Sequence, residues 1–377
     1  MNGPAARIGL MVFAAGLTTT LPLPLYVEYA GDAGKGALAA AFACYAGVLI
    51  LTAPLLGPLP DRIGRRRCMV LGLLACAVSS LLLAIWPGLG SLALARVFQG
   101  LGMGCVANAA GAWAAELLER QGTAPEDASR QGAAVVAAGT SGSFGLGSVL
   151  TLLALMAWPA MRPPVTLPLH LLLFVLCIAL ALALPETRRG PPGPALRWPA
   201  FPRGTLASSL GMVPAWGLTG VAITTIPAAL AAAGQPRAGA WAVSLMILTG
   251  LLAQGRTRRL PPGRALRLGM PLLVLGGGVM FWGAQGGGLL PLMLGAVIIG
   301  LAAHGLVYLG GLAAATIAAP DDRPRATAGF FLIAHVGFSA VPLLVGIGAD
   351  LLGTGTALAL MWAGVLISTA VLWRALP

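Results

Sequence analysis

This sequence carries little charge for its length. Charged residues make up 9% of the 377 and hydrophobic residues 58%, where a soluble domain carries roughly a quarter of its residues as charges. That scarcity excludes an ordinary soluble chain and reads as an integral membrane protein. Alternating polar and apolar segments of about ten residues are also missing, which excludes a β-barrel. The chain has no H-E-x-x-H, no cluster of Asp, Glu and His, and no Gly-Lys-Ser/Thr phosphate loop, so a membrane-embedded enzyme has little to stand on. The glycine runs Gly276 to Gly278 and Gly286 to Gly288 lack the strand-to-helix context that a nucleotide loop requires. Five cysteines (Cys44, Cys68, Cys76, Cys105, Cys177) fall in or beside apolar runs without paired spacing. They read as small buried hydrophobes, and neither a metal nor a cofactor is expected.

What remains is long apolar runs. Cutting at the charged and Pro/Gly-rich clusters leaves runs beginning near Ile8, Ala37, Cys68, Leu92, Gly132 and Thr166, then near Leu206, Ala238, Leu268, Leu289, Ala326 and Thr356. Most are about 18 to 27 residues long, and a helix rising 1.5 Å per residue needs about 20 to cross roughly 30 Å of hydrocarbon. Twelve spanning helices are therefore expected. The first run could pass for a secretory signal, but its length and its echo later in the chain argue that it is retained.

The net charge of +12 could point to nucleic acid, but its placement does not. With the N-terminus in the cytoplasm, only Lys35, Arg162 and Arg237 of the 23 Lys and Arg fall outside, and Arg96 lies within a span. The rest sit in cytoplasmic loops, which by the positive-inside rule puts both termini in the cytoplasm. These short clusters beside helices also lack the interleaved aromatic and polar contacts of a nucleic-acid face.

The halves repeat. P-E-D-x-x-R (Pro125, Glu126, Asp127, Arg130) precedes the fifth span and P-D-D-x-x-R (Pro320, Asp321, Asp322, Arg325) the eleventh. Gly100-Leu101 with Gly111 recurs as Gly300-Leu301 with Gly311, and Leu49 to Thr52 as Met246 to Thr249. The near-constant offset implies six spans repeated in one orientation, an arrangement that places a substrate site near the midplane between halves. The expected division is 1–186, a cytoplasmic linker over 187–204 rich in Pro, Gly and Arg, and 205–377.

Between the second and third spans stands G-P-L-P-D-R-I-G-R-R, Gly57 to Arg66. Glycines permit a tight turn, arginines hold the loop at the inner face, and Asp61 is placed to meet a helix N-terminus or an arginine. This stretch resembles the loop signature of the major facilitator superfamily. Arg96 to Gly100 looks like that family's R-x-x-Q-G element, and Pro185-Glu186-Thr187 closes the sixth span as in many relatives. Pro22 and Pro24 resemble the proline pair of twelve-helix drug:proton antiporters. The resemblance covers essentially the whole chain. It implies two pseudo-symmetric six-helix bundles, with Gly57, Asp61, Arg62, Gly64 and Arg65 as a conformational latch on the cytoplasmic side. The fifth span departs from the antiporter pattern: it reads G-S-F-G-L-G from Gly142 to Gly147, with Ser143 where proline is usual. Small residues there still allow close helix packing. The second copy of the loop signature keeps Gly263 and Arg264 but has no Asp, so the latch is one-sided.

A charge inside a span is a functional hypothesis by default, and Arg96 is the clear case, with Gln99 near the same face. It suits an anionic or hydroxyl-rich substrate, or assistance to proton exchange as the family implies; a hydrogen bond to helix carbonyls is the plainer alternative. Two of the three histidines are placed in spans. His304 shares a face with Tyr308 at i,i+4, and His335 lies in the eleventh span. An imidazole with an ordinary pKa near 6.5 can carry a proton, although membrane histidines also serve as packed hydrogen-bonding residues. Thr18, Asn108 and Thr224 stand at further cavity positions, where hydroxyls also bond their own backbone. No Asp or Glu occupies the middle of a span. Proton coupling would then fall to Glu28, Glu116 or a histidine, or would be absent, leaving a facilitator open. The reading is an all-α integral membrane transporter exporting a small organic molecule by alternating access with a proton as counter-ion. The alternative is an importer or facilitator of a sugar or organic acid. Its partners are the substrate, the proton and the bilayer, with no nucleic acid, and a monomer is expected. Compact loops suggest a bacterial inner membrane.

Overall fold

The computed structural model describes residues 3–187 and 194–376; of the linker expected at 187–204, residues 188–193 with Arg188 and Arg189 lie outside the described residues. Among the described residues there is no strand, and twelve helices are long and apolar enough to cross a membrane. They are α1 (Pro4–Ala30), α2 (Lys35–Leu56), α3 (Arg65–Ile85), α4 (Leu89–Arg120), α5 (Pro125–Ala157) and α6 (Thr166–Ala183), then α7 (Leu206–Ala232), α8 (Pro236–Thr257), α9 (Pro262–Gly287), α10 (Leu289–Ile317), α11 (Arg323–Leu352) and α12 (Thr354–Trp373). The chain is a multi-pass membrane protein.

Contacts group the chain into two compact units. Unit 1 holds Met1–Leu23 and Leu51–Trp198, and unit 2 holds Pro24–Ile50 and Pro199–Pro377. The core of unit 1 gathers Ile8, Met69, Leu73, Trp113 and Phe174; that of unit 2 gathers Met212, Leu218, Leu273, Ile299 and Phe330.

The repeat is visible in packing. In unit 1, α1 crosses α5 closely enough that a Cβ on Gly139 would stand 2.6 Å from the Gly9 carbonyl oxygen. In unit 2, α7 crosses α11 in the same manner, and a Cβ on Gly337 would stand 2.6 Å from Val213 Cα. Small residues give bilayer-embedded helices the backbone approach that packing attraction needs. At the first crossing Thr20 Oγ1 donates to the Ser143 carbonyl at 2.9 Å, so the serine that replaces proline in α5 offers its backbone to α1.

The loop copies make the same bond. Arg130 meets Asp127 at 2.7 Å and Arg325 meets Asp322 at 2.9 Å, each three residues apart. Their helices start differently. Pro125 itself opens α5, whereas Pro320 stays outside α11, which begins at Arg323 with Pro324 in its first turn. A proline suits the first turn because its missing N–H would be unbonded there anyway, and the second proline resets the start. Both leading helices are interrupted. α1 breaks over Leu21 to Leu25, at Pro22 and Pro24, and α7 breaks at Gly211 and Thr224.

Candidate functional site

The candidate residues fall in both units. In unit 1, Arg96 and Gln99 lie one turn apart on α4, 3% and 1% exposed. The guanidinium donates to Gln99 Oε1 at 2.9 Å. That bond fixes the amide orientation, since a flipped amide would set N–H against guanidinium. Gln99 Nε2 is then a buried donor with no partner among the described residues. Thr18 is buried as well, and its hydroxyl faces the Cys76 thiol. Asn108 does not join them: it is exposed, and its amide donates to the Gly104 carbonyl of its own helix at 2.7 Å. Thr224 likewise bonds its own helix, Oγ1 to the Gly220 carbonyl at 2.9 Å, at the break in α7.

In unit 2, α10 widens to a π-helix from Gly300 to Val307. Such stretches often occur at functional sites. His304 and Tyr308, expected on one face at i,i+4, both meet α7, His304 at Thr219 and Tyr308 at Trp216. Gln254 on α8 donates to the His304 carbonyl at 3.2 Å. His304 Nε2 lies 3.2 Å from Thr219 Oγ1 on α7, and that hydroxyl also lies 3.1 Å from the Ala215 carbonyl. A hydroxyl has one proton. If Thr219 gives it to the carbonyl, His304 must donate through Nε2. His304 thus ties α7, α8 and α10 together.

Tyr308 stacks on Trp216 of α7, centroids 6.2 Å apart. Around that indole gather Phe331 at 6.2 Å, His335 at 5.4 Å and Phe338 at 5.5 Å, all from α11. Tyr45 of α2 reaches the His335 ring at 6.0 Å. His335 donates Nδ1–H to the Phe331 carbonyl at 2.7 Å, which leaves Nε2 as an acceptor. Each of these six rings keeps part of its surface open, unlike the fully buried Phe330 beside them. The Trp216 indole N–H is buried without a partner among the described residues. Trp216, Phe331, Phe338 and Tyr45 are functional candidates that sequence reading missed; in a chain this apolar, single rings carry no periodic signal.

His170 lies in α6 and is structural. Its Nε2 donates to the Ala14 carbonyl at 2.8 Å and its Nδ1 lies 3.1 Å from Ser80 Oγ. Both ring nitrogens are occupied by neighbouring helices.

The loop between α2 and α3 forms a charge network within unit 1. Asp61 accepts from Arg65 at 2.5 Å and from Arg197 at 2.9 Å. Partial burial by itself pushes the Asp61 carboxyl up, but the hydrogen bonds and charges of the two guanidiniums outweigh it and hold the pKa below its ordinary value. Arg65 also reaches Glu116 at 3.2 Å, and the Thr187 hydroxyl hydrogen-bonds Glu116. Gly64 adopts φ +105°, and the Glu186 carboxylate sits where its Cβ would be. Gly57 donates its N–H to the Ala53 carbonyl at 3.1 Å, and Arg62 is exposed.

The pattern of the major facilitator superfamily matches residues 8–309. The chain belongs to that superfamily. Its fold is shared by three solved transporters of low sequence identity. The peptide transporter POT aligns with TM-score 0.76 at 14% identity, over 99% of this chain and 95% of that one. The nucleoside transporter NupG aligns with TM-score 0.73 at 11% identity, over 99% and 98%. The human organic anion transporter MFSD10 aligns with TM-score 0.68 at 19% identity, over 98% of each chain. No curated protein matches by sequence. Family and fold point to transport of a small molecule across a membrane rather than to catalysis.

Proposed function

We propose that this superfamily member is a proton-coupled secondary transporter that exports a small organic anion bearing a flat ring. The observation that carries the proposal is the character of the groups left over at the candidate residues. Among the described residues, Gln99 Nε2 in unit 1, beside the Arg96 guanidinium, and separately the Trp216 indole N–H in unit 2 are buried donors lacking acceptors. An unmade hydrogen bond in such a place costs about 1–3 kcal/mol, which a ligand supplying acceptor oxygens would recover. No span carries a mid-membrane carboxylate to bind a cation, and Arg96 is a buried cation. The open rings around Trp216 suit a planar apolar face, because aromatic pairs contribute about 0.5–1.5 kcal/mol beyond area burial. The likeness in fold to an organic anion transporter agrees with this class.

Export rests on the proline pair at Pro22 and Pro24 and its resemblance to drug:proton antiporters. Proton exchange is assigned to His304 and His335. The halves 1–186 and 205–377 rock about the linker, with Asp61 and its loop as the cytoplasmic latch. The arginine-rich face and both termini lie in the cytoplasm of a bacterial cell, and the protein works as a monomer in the inner membrane. A facilitator is the second reading, favoured by the missing mid-span carboxylate.

Transport by purified protein in liposomes, with substrate gradients imposed in opposite directions, tests the proposal. Aromatic carboxylates should move and uncharged sugars should not, and Trp216→Leu should raise the half-saturating concentration about tenfold. Movement of sugars in preference to aromatic anions would remove the proposed substrate class.

A further inference from the structure

A second basic site lies away from the transport residues, at the arginine-rich end of unit 2. Arg264 and Arg267 are three residues apart on the first turns of α9 and share a face. With Gly263, Leu268 and Trp373 of α12 they line an open-sided cavity of about 450 Å³. Both arginines are exposed. Arg267 donates to the Leu376 carbonyl at 3.2 Å, which fixes its guanidinium at the cavity without neutralising it.

Among the described residues no carboxylate pairs with these arginines. From Thr187 to Pro320 the sequence contains no Asp or Glu, while Arg256, Arg258, Arg259, Arg264 and Arg267 crowd into the α8–α9 connection. Among the described residues none of these five has an ion pair with a carboxylate. Within unit 2, Asp322 is engaged by Arg325. Asp350 is engaged by the backbone N–H groups of Lys35 and Gly36. The network in unit 1 is the opposite case, with Arg65 and Arg197 both meeting carboxylates.

An apolar seam continues from the cavity along the same helices. Leu268 and Leu275 on α9 are 46% and 54% exposed, seven residues apart and so on one face, and Trp362 and Leu366 on α12 are 37% and 44% exposed. Trp362 donates to the Val274 carbonyl at 2.9 Å, holding the two helices together along the seam. Trp373, 40% exposed, stands where a tryptophan settles at a membrane–water boundary.

We propose that this cavity binds an anionic phospholipid of the adjoining leaflet. The headgroup phosphodiester sits between Arg264 and Arg267, and an acyl chain lies along the α9–α12 seam. Basic pockets between spanning helices take such headgroups. The arginines alone would serve a free phosphate equally well; the continuous apolar seam is what selects a lipid.

The test uses the full chain in neutral detergent, with bound lipid counted by native mass spectrometry. Phosphatidylglycerol, phosphatidylcholine and inorganic phosphate are each titrated against the unaltered protein, Arg264→Gln/Arg267→Gln, and Arg256→Gln/Arg258→Gln. Phosphatidylglycerol should bind the unaltered protein about tenfold or more tighter than phosphatidylcholine. The first double variant should lose that preference, the second should keep it, and millimolar phosphate should not displace the lipid. Equal binding of the two lipids to the unaltered protein overturns the proposal without recourse to any variant. Full displacement by phosphate would reduce the cavity to a free-anion site, and equal loss in both double variants would reduce it to diffuse charge attraction.

Discussion

The Glu186 carboxylate accepts the backbone N–H of Arg65 at 2.8 Å, across 121 residues of chain. Its second oxygen accepts from Arg66 at 3.2 Å. The segment just after α6 thus caps the start of α3, satisfying donors that no helix can satisfy for itself. A negative charge at that end is also favoured by the helix dipole.

Glu186→Ala should therefore destabilise the protein by about 1–2 kcal/mol. Gly64→Ala should cost about 1–3 kcal/mol, since φ +105° and ψ 154° is backbone that glycine alone adopts readily. Arg62→Ala, at an exposed neighbour, should be close to neutral. Thermal unfolding in detergent ranks the three, and equal midpoints for all would contradict the cap.

Asp61 predicts a pH dependence of definite sign. Its folded pKa is lowered by Arg65 and Arg197, so its contribution to stability is complete above the ordinary carboxylate value of about 3.9. That contribution disappears as pH falls through the lower folded value. The difference in unfolding midpoint between the unaltered protein and Asp61→Asn should be constant from about pH 7 to pH 5 and shrink below about pH 4. With the pair only half-buried, the difference corresponds to about 1 kcal/mol. A gap that widens on acidification would reverse the assignment.

The paired helix crossings make a symmetric prediction. Gly139→Ala and Gly337→Ala each place a methyl against backbone and should each cost about 1–3 kcal/mol by overpacking. Gly111→Ala, where nothing lies within 4 Å, should leave the midpoint unchanged or raise it. Loss in only one of the two crossings would break the equivalence of α1–α5 with α7–α11.

The parts of this structure that sequence reveals are those made by local chemistry. Twelve spans follow from where charge is missing, and the Asp127–Arg130 and Asp322–Arg325 bonds lie within one helical turn, so their motif is visible as spelling. Arg96 and Gln99 are legible for the same reason. Contacts between distant segments leave no such trace. Nothing near Glu186 announces the amides of Arg65 and Arg66, and nothing around Pro24 to Ile50 shows that this stretch packs with residues 199–377. There the Asp350 carboxylate accepts the N–H groups of Lys35 and Gly36 at 2.9 and 2.8 Å, at the start of α2. The π-helical turns around His304 were hidden because an apolar helix does not mark a change in hydrogen-bond register. Asn108 and Thr224 show a local bond that spelling hides, since each hydrogen-bonds a carbonyl of its own helix, Gly104 and Gly220.

His304 and Thr219 should act as one unit in proton exchange. Thr219→Val removes the hydroxyl that faces His304 Nε2 while keeping nearly the same shape. The variant should shift the pH profile of transport while leaving expression and the unfolding midpoint close to the unaltered protein. His304→Gln should abolish coupled proton movement. An unchanged pH profile in both would exclude His304 from the pathway.

The most direct test of the account is proton movement itself, read by an internal pH dye in liposomes holding the purified protein. Addition of an aromatic carboxylate on one side should drive protons the opposite way across the membrane, and Arg96→Ala should abolish the signal in a protein that remains folded and inserted. Transport of the same labelled compound with no proton movement would contradict the coupled exporter and establish a facilitator in its place.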